Sequence, residues 1–142
     1  MNKIVFKIYQ VSLLLKCRAP LKRFISDILI HEKVPFNYLT FVFTNDTYLL
    51  QLNQQFLNHD TYTDILTFSL NGDQTTISGE IYISVERVKE NAAKFNETFI
   101  DELHRVMIHG VLHLCGYSDH SHKRKAEMRK KENTYLAKRD FT

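Results

Sequence analysis

Residues 98–114 restrict most strongly what this chain can become. Ile100, Leu103, Met107, Val111 and Leu114 form an apolar stripe at helical spacing, and His109 and His113 sit one turn apart on the same segment. The spacing predicts a long helix facing a core, ended by Gly116 as a C-terminal glycine cap. Two imidazoles four residues apart on a helix share a face, so both can reach one metal ion. The glycine then turns the chain back, which lets a third ligand approach from outside the helix. Asp119 stands three residues past Gly116 and six past His113, with His120 immediately next. Either residue completes a three-ligand set with an open position for water, the arrangement of catalytic zinc rather than of a closed structural site. The expectation is a metal-dependent hydrolase with His109, His113 and either Asp119 or His120 as ligands.

Gly110 narrows the chemistry. Zinc peptidases carry a glutamate base directly after the first histidine, and a glycine there supplies no base, which disfavours a metallopeptidase. Glu102, seven residues before His109, reads as a candidate carboxylate behind the ligands, and Arg105 as a candidate phosphate contact. Cys115 falls inside the histidine cluster but reads as a small buried apolar residue. With only Cys17 besides, no disulfide framework or Cys-x-x-Cys knuckle is present.

The charge is unevenly spread. Residues 121–142 hold eight Lys/Arg against three acids, a net of +5, whereas the whole chain carries only +3. A basic end on a near-neutral body suits a polyanionic partner such as nucleic acid, with Lys123, Arg124 and Arg129 as candidate contacts. The apolar run at 11–15 is too short for a membrane span and lacks a leader's cleavage site, so a cytoplasmic protein is expected.

At 142 residues, with 44% apolar and 25% charged side chains, the chain fits a single domain spanning 1–142. Strand-like alternation occurs at Ile4/Phe6/Ile8, at Leu39/Phe41/Phe43, across residues 65–68, and at Ile77/Gly79/Ile81/Ile83. Helical stripes lie between and after these. Leu21, Phe24, Ile25, Ile28 and Leu29 follow Pro20 at a first helical position; Leu49, Leu52 and Phe56 follow an Asn45 cap; Val85, Val88 and Ala92 follow a Ser84 cap. A last basic helix covers roughly 122–138. The order β-α-β-α-β-β-α-α-α predicts an α+β domain with a four-stranded mixed sheet and surrounding helices.

The run His-Gly-Val-Leu-His-Leu-Cys-Gly-Tyr-Ser-Asp-His from His109 to His120 resembles the signature of the YbeY family of bacterial rRNA maturation endoribonucleases. Leu52-Asn53, Phe56, Asp60 and the stretch from Thr63 to Ser69 resemble a second block of that family, and Gly79 to Ser84 a third, so the likeness spans about 45–135. It implies a sheet-and-helix fold, one zinc ion per chain, hydrolysis of single-stranded RNA, ribosomal RNA 3′-end maturation and quality control, and the small ribosomal subunit as partner. There are two departures. Ser118 is an extra residue before the Asp-His pair, so the family's third histidine falls on Asp119 when counted from Gly116 and on His120 when counted from the pair; the fixed reach from the glycine turn favours Asp119. Leu57 stands where the family has an arginine, and His59 or Arg105 would have to replace it. The alternative to an enzyme is a ribosome-associated RNA-binding protein whose metal is chiefly structural.

Overall fold

The computed structural model describes residues 2–59, 62–70 and 76–141; Asp60, part of the second resemblance block, lies outside them. The elements follow in the order β1 (Lys3–Ile8), α1 (Arg18–His31), β2 (Phe36–Thr44), α2 (Asp46–Leu57), β3 (Ile65–Ser69), β4 (Ile77–Ser84), α3 (Val85–Lys94), α4 (Phe99–Leu114) and α5 (His122–Leu136). The expected α+β domain with a four-stranded mixed sheet is what forms. Strand order is β1-β2-β4-β3. β1 and β2 pair in parallel, as do β2 and β4, because helical crossovers join them, while β3 runs antiparallel to β4 along one edge.

Alternation assigns the two faces of the sheet. Register aligns Ile4 with Leu39, Phe6 with Phe41 and Ile8 with Phe43, and Phe41 and Phe43 in turn with Ile81 and Ile83. This face is covered by Leu21, Ile25 and Ile28 of α1 and by Leu103, Met107 and Val111 of α4, all essentially inaccessible. Each such side chain contributes about 1.5–3 kcal/mol by leaving water. On the opposite face α2 lays Leu49 and Leu52 over Leu66 of β3. Among the described residues, no helix is long and apolar enough to cross a membrane.

α4 lies flat on the sheet because two glycines face the contact. A Cβ on Gly110 would meet Ile65 Cδ1 and Ile81 Cγ2 at 2.9 Å, and one on Gly79 would meet Leu114 Cδ1 at 2.8 Å. Gly110 thus turns into the sheet, a packing role separate from the missing base.

Four expectations need correction. Pro20 is the third residue of α1, not the first, because Cys17 adopts a left-handed conformation (φ 56°) and its carbonyl accepts from the Leu21 amide at 2.9 Å. Phe56 is not part of the α2 core stripe; it is 61% exposed, with its ring edge-on to Phe68. Ile100 is only half-buried, since the stripe of α4 is centred on Leu103, Met107 and Val111. α5 ends at Leu136, two residues short of the expected boundary.

Candidate metal centre

The centre is built where α4 ends. Thr98 caps the helix start, its hydroxyl accepting from the Asp101 amide at 3.1 Å. At the other end Gly116 takes φ +103°, its N–H bonds the His113 carbonyl, and the Tyr117 N–H bonds the Leu112 carbonyl, both at 3.0 Å. This pair of bonds is a Schellman closure. It folds residues 117–121 back over the helix face that carries the histidines.

Among the described residues, His109, His113 and Asp119 form the one group of His, Cys and acidic side chains whose donor atoms all lie within 4.8 Å of one another. His109 Nε2 and His113 Nε2 are 2.9 Å apart, and Asp119 Oδ2 is 3.5 Å from the first and 3.7 Å from the second. Three atoms around a tetrahedral zinc at about 2.0–2.1 Å sit about 3.3 Å from one another, so the set fits such an ion. His120 is exposed and outside this group, and its backbone N–H donates to Ser118 Oγ at 3.2 Å. Of the two open third positions, the structure brings Asp119 to the histidines.

Each imidazole is fixed from behind. His113 Nδ1 lies 3.0 Å from the Tyr117 carbonyl, which has no hydrogen to give, so Nδ1 is the donor and Nε2 is bare. His109 Nδ1 donates to Glu132 Oε2 at 2.6 Å, which turns Nε2 toward His113 and Asp119. Two Nε2 atoms and a carboxylate therefore converge within 3.7 Å; in the absence of an ion a proton on His109 Nε2 bridges to His113, and a bound cation would take its place. Burial disfavours the His109 imidazolium, but Glu132 outweighs it and raises the pKa; at His113 burial, reinforced by the His109 charge, lowers it.

Glu132 is only 4% exposed and is held by Arg105 Nη1 at 3.8 Å and Arg129 Nη1 at 3.9 Å. Arg105 also pairs with Glu102 at 3.6 Å and Glu97 at 4.0 Å, and donates to Asn133. Its guanidinium thus balances carboxylates rather than facing open solvent. Glu102, the carboxylate expected behind the ligands, pairs with Arg105, and it is Glu132 that meets His109. Glu132 was hidden in a basic helix. The signal that would have found it is its place on the stripe Met128, Glu132, Tyr135, the three residues that α5 buries. Cys115 packs against the core, and burial pushes its thiol up to about 11, so it remains a thiol.

The site opens into a cleft of about 330 Å³ whose walls include Asp64, Asn91, Phe95, Lys125 and Arg129. Burial raises the pKa of Asp64, against the pull of His109, and Asn91 Nδ2 donates to its Oδ2 at 3.3 Å. Lys123 and Arg124 are exposed on the first turn of α5, Leu57 is 41% exposed at the end of α2, and His59 is exposed just beyond it.

The family described as endoribonuclease YbeY matches residues 9–140. The chain belongs to the YbeY family. An endoribonuclease YbeY of Cytophaga hutchinsonii is 46% identical over 89% of both chains. Another, of Porphyromonas gingivalis, is 40% identical over 96% of this chain and 89% of its own. The solution structure of a Thermotoga maritima protein superposes with a TM-score of 0.63 at 34% identity, covering 92% of this chain and 86% of that one. Membership of the YbeY family agrees with the resemblance drawn from His109 to His120.

Proposed function

We propose that this chain is a zinc-dependent endoribonuclease that cuts single-stranded RNA, with ribosomal RNA 3′-end maturation on the small ribosomal subunit as its cytoplasmic task. The observation that carries the reading is the convergence of the His109 and His113 Nε2 atoms and the Asp119 carboxylate at the end of a cleft bordered by Lys125 and Arg129. The names of the relatives supply the substrate class, RNA. His109, His113 and Asp119 would hold one zinc ion, which when bound polarises a phosphoryl oxygen and acidifies a water. Glu132 keeps His109 in the tautomer that presents Nε2, and the Tyr117 carbonyl does the same for His113. Asp64 is the carboxyl in the same cleft that takes up a proton in place of the base Gly110 lacks. Lys123, Lys125 and Arg129 attract the phosphates, while Arg105 spends its charge on Glu132 and Glu102.

The test is metal content and cleavage in one preparation. About one zinc per chain is expected, and His109→Ala should abolish cleavage of a single-stranded RNA while the circular dichroism spectrum stays native. Metal-stripped wild type that still cuts RNA at the original rate would refute the reading.

A further inference from the structure

A second groove, of about 460 Å³, lies on the other flank of α5 from the metal cleft. Lys125, Arg129 and Glu132 face the cleft, and Arg124, Glu127, Lys131 and Thr134 line the groove, as helical spacing requires of two flanks of one helix, with Lys138 joining them from just past its end. Met128 touches both hollows. The far wall is Gly116, Tyr117 and Ser118, part of the same turn that delivers Asp119.

The groove has a fixed floor. Glu32, whose side chain is 7% exposed, accepts from the Tyr117 hydroxyl at 2.6 Å, from Lys131 Nζ at 3.0 Å and from the Tyr135 hydroxyl. Burial alone would raise the Glu32 pKa, but these donors bring it down to about 2. Tyr135 also meets His31 Nδ1 at 2.9 Å. Lys131 Nζ stands 4.7 Å from the Tyr117 ring centre, and Tyr117 is still 37% exposed. The rim is cationic: Glu32 accounts for Lys131, while Arg124, Lys130 and Lys138 have no carboxylate partner among the described residues, with Glu127 as the one acid on the rim.

An aromatic floor under a cationic rim is the chemistry that takes an unpaired base on a ring face and its phosphate on the edge. From these features we infer that the groove binds a nucleotide of single-stranded RNA flanking the segment held in the metal cleft. The base stacks on Tyr117 and His31, and the phosphates pair with Arg124, Lys130 and Lys138. This rests on the endoribonuclease reading and adds to it a second contact point one helix width, about 10 Å, from the metal. A strand crossing α5 would be held on both sides of the bond to be cut. A duplex could not enter, since its bases are already stacked and paired.

The experiment uses the intact chain and a fluorescent single-stranded oligoribonucleotide carrying 4-thiouridine. Lys130→Glu combined with Lys138→Glu, both exposed positions, should weaken binding at least tenfold at physiological salt. It should also flatten the dependence of log K on log salt by about 1.4, or about 0.7 per phosphate contact on a single strand. Lys3→Glu with Lys7→Glu on β1 makes the same charge change far from the groove and should do neither. Photocrosslinks in the wild type should map to Tyr117 or His31. Equal weakening by the two double variants, or crosslinks confined to the metal cleft, would overturn the inference. Cleavage is scored separately. A wild type that binds through the groove but cuts nothing would refute the nuclease reading alone, and one that cuts normally with a groove-insensitive Kd would refute the groove alone.

Discussion

Replacing Glu132 with glutamine isolates the role of the carboxylate behind His109. The two side chains have the same shape, and the amide oxygen can still accept from His109 Nδ1, so the tautomer survives. What is lost is the charge across a 2.6 Å hydrogen bond in a nearly inaccessible position. A hydrogen bond to a charged group contributes about 1.5–3 kcal/mol and a neutral one about 1, so the variant should lose about 1–2 kcal/mol of support for a metal-bound imidazole. This corresponds to zinc binding roughly 5- to 30-fold weaker, overlapping the range known for such partners. Folding should suffer less, because Arg105 keeps Glu102 at 3.6 Å and Glu97 at 4.0 Å. The assay is competition for zinc against a chromophoric chelator, paired with thermal melting of the metal-free proteins. Zinc affinity within twofold of wild type would refute the assignment of Glu132 as the orienting group. So would a metal-free variant that is already unfolded.

Three further outcomes are expected. Asp119→Ala should cost at least tenfold in zinc affinity and His120→Ala less than twofold by the same competition; the reverse order would move the third ligand to His120. His104 is buried, accepts from Arg139 Nη1 at 2.7 Å, and has its pKa lowered to about 4 by burial and then by Arg139. Its neutral form is favoured by folding, so the contribution is complete above the unfolded value of about 6.5 and is lost as pH falls through 4, up to about 3 kcal/mol. Denaturant melts between pH 7 and 4 should therefore flatten in His104→Gln, and identical slopes would refute this. Gly110→Ala gains about 1 kcal/mol of helix propensity but forces contacts near 2.9 Å with Ile65 and Ile81, so a net loss of about 1–2 kcal/mol is expected in urea titration.

The sequence made some of this legible and hid the rest for identifiable physical reasons. The helix over 98–114 and the pair His109/His113 are local, because four-residue spacing alone decides the shared face. The reach to Asp119 follows from one glycine turn. Glu132 is 23 residues from His109 on a helix that is polar on nearly every side, where only the sparse stripe of Met128, Glu132 and Tyr135 marks the buried face. Arg105 looks like a phosphate contact until the buried carboxylates around it are seen. Gly110 shows the limit from another direction. Its chemical silence is readable in the sequence, whereas its closeness to Ile65 and Ile81 is a tertiary fact. Phe56 matched a stripe by spacing alone, and the end of α2 lies too near the sheet edge to bury it.

The way α5 is attached has a consequence for motion. Of its fifteen residues only Met128, Glu132 and Tyr135 are buried; Met128 and Tyr135 join the apolar core, while Glu132 is held by polar groups alone. Such a helix is cheap to detach as a unit, so its amides should open at lower free energy than those of α4, which buries nine residues. Glu132 ties that opening to occupancy of the ligand set, because undocking α5 takes away the support of His109. An ion that binds only the docked form raises the opening free energy by RT ln(1 + [L]/Kd). Hydrogen exchange along α5 would then act as a gauge of metal loading, slowing with zinc while exchange in β2 and β4 stays unchanged.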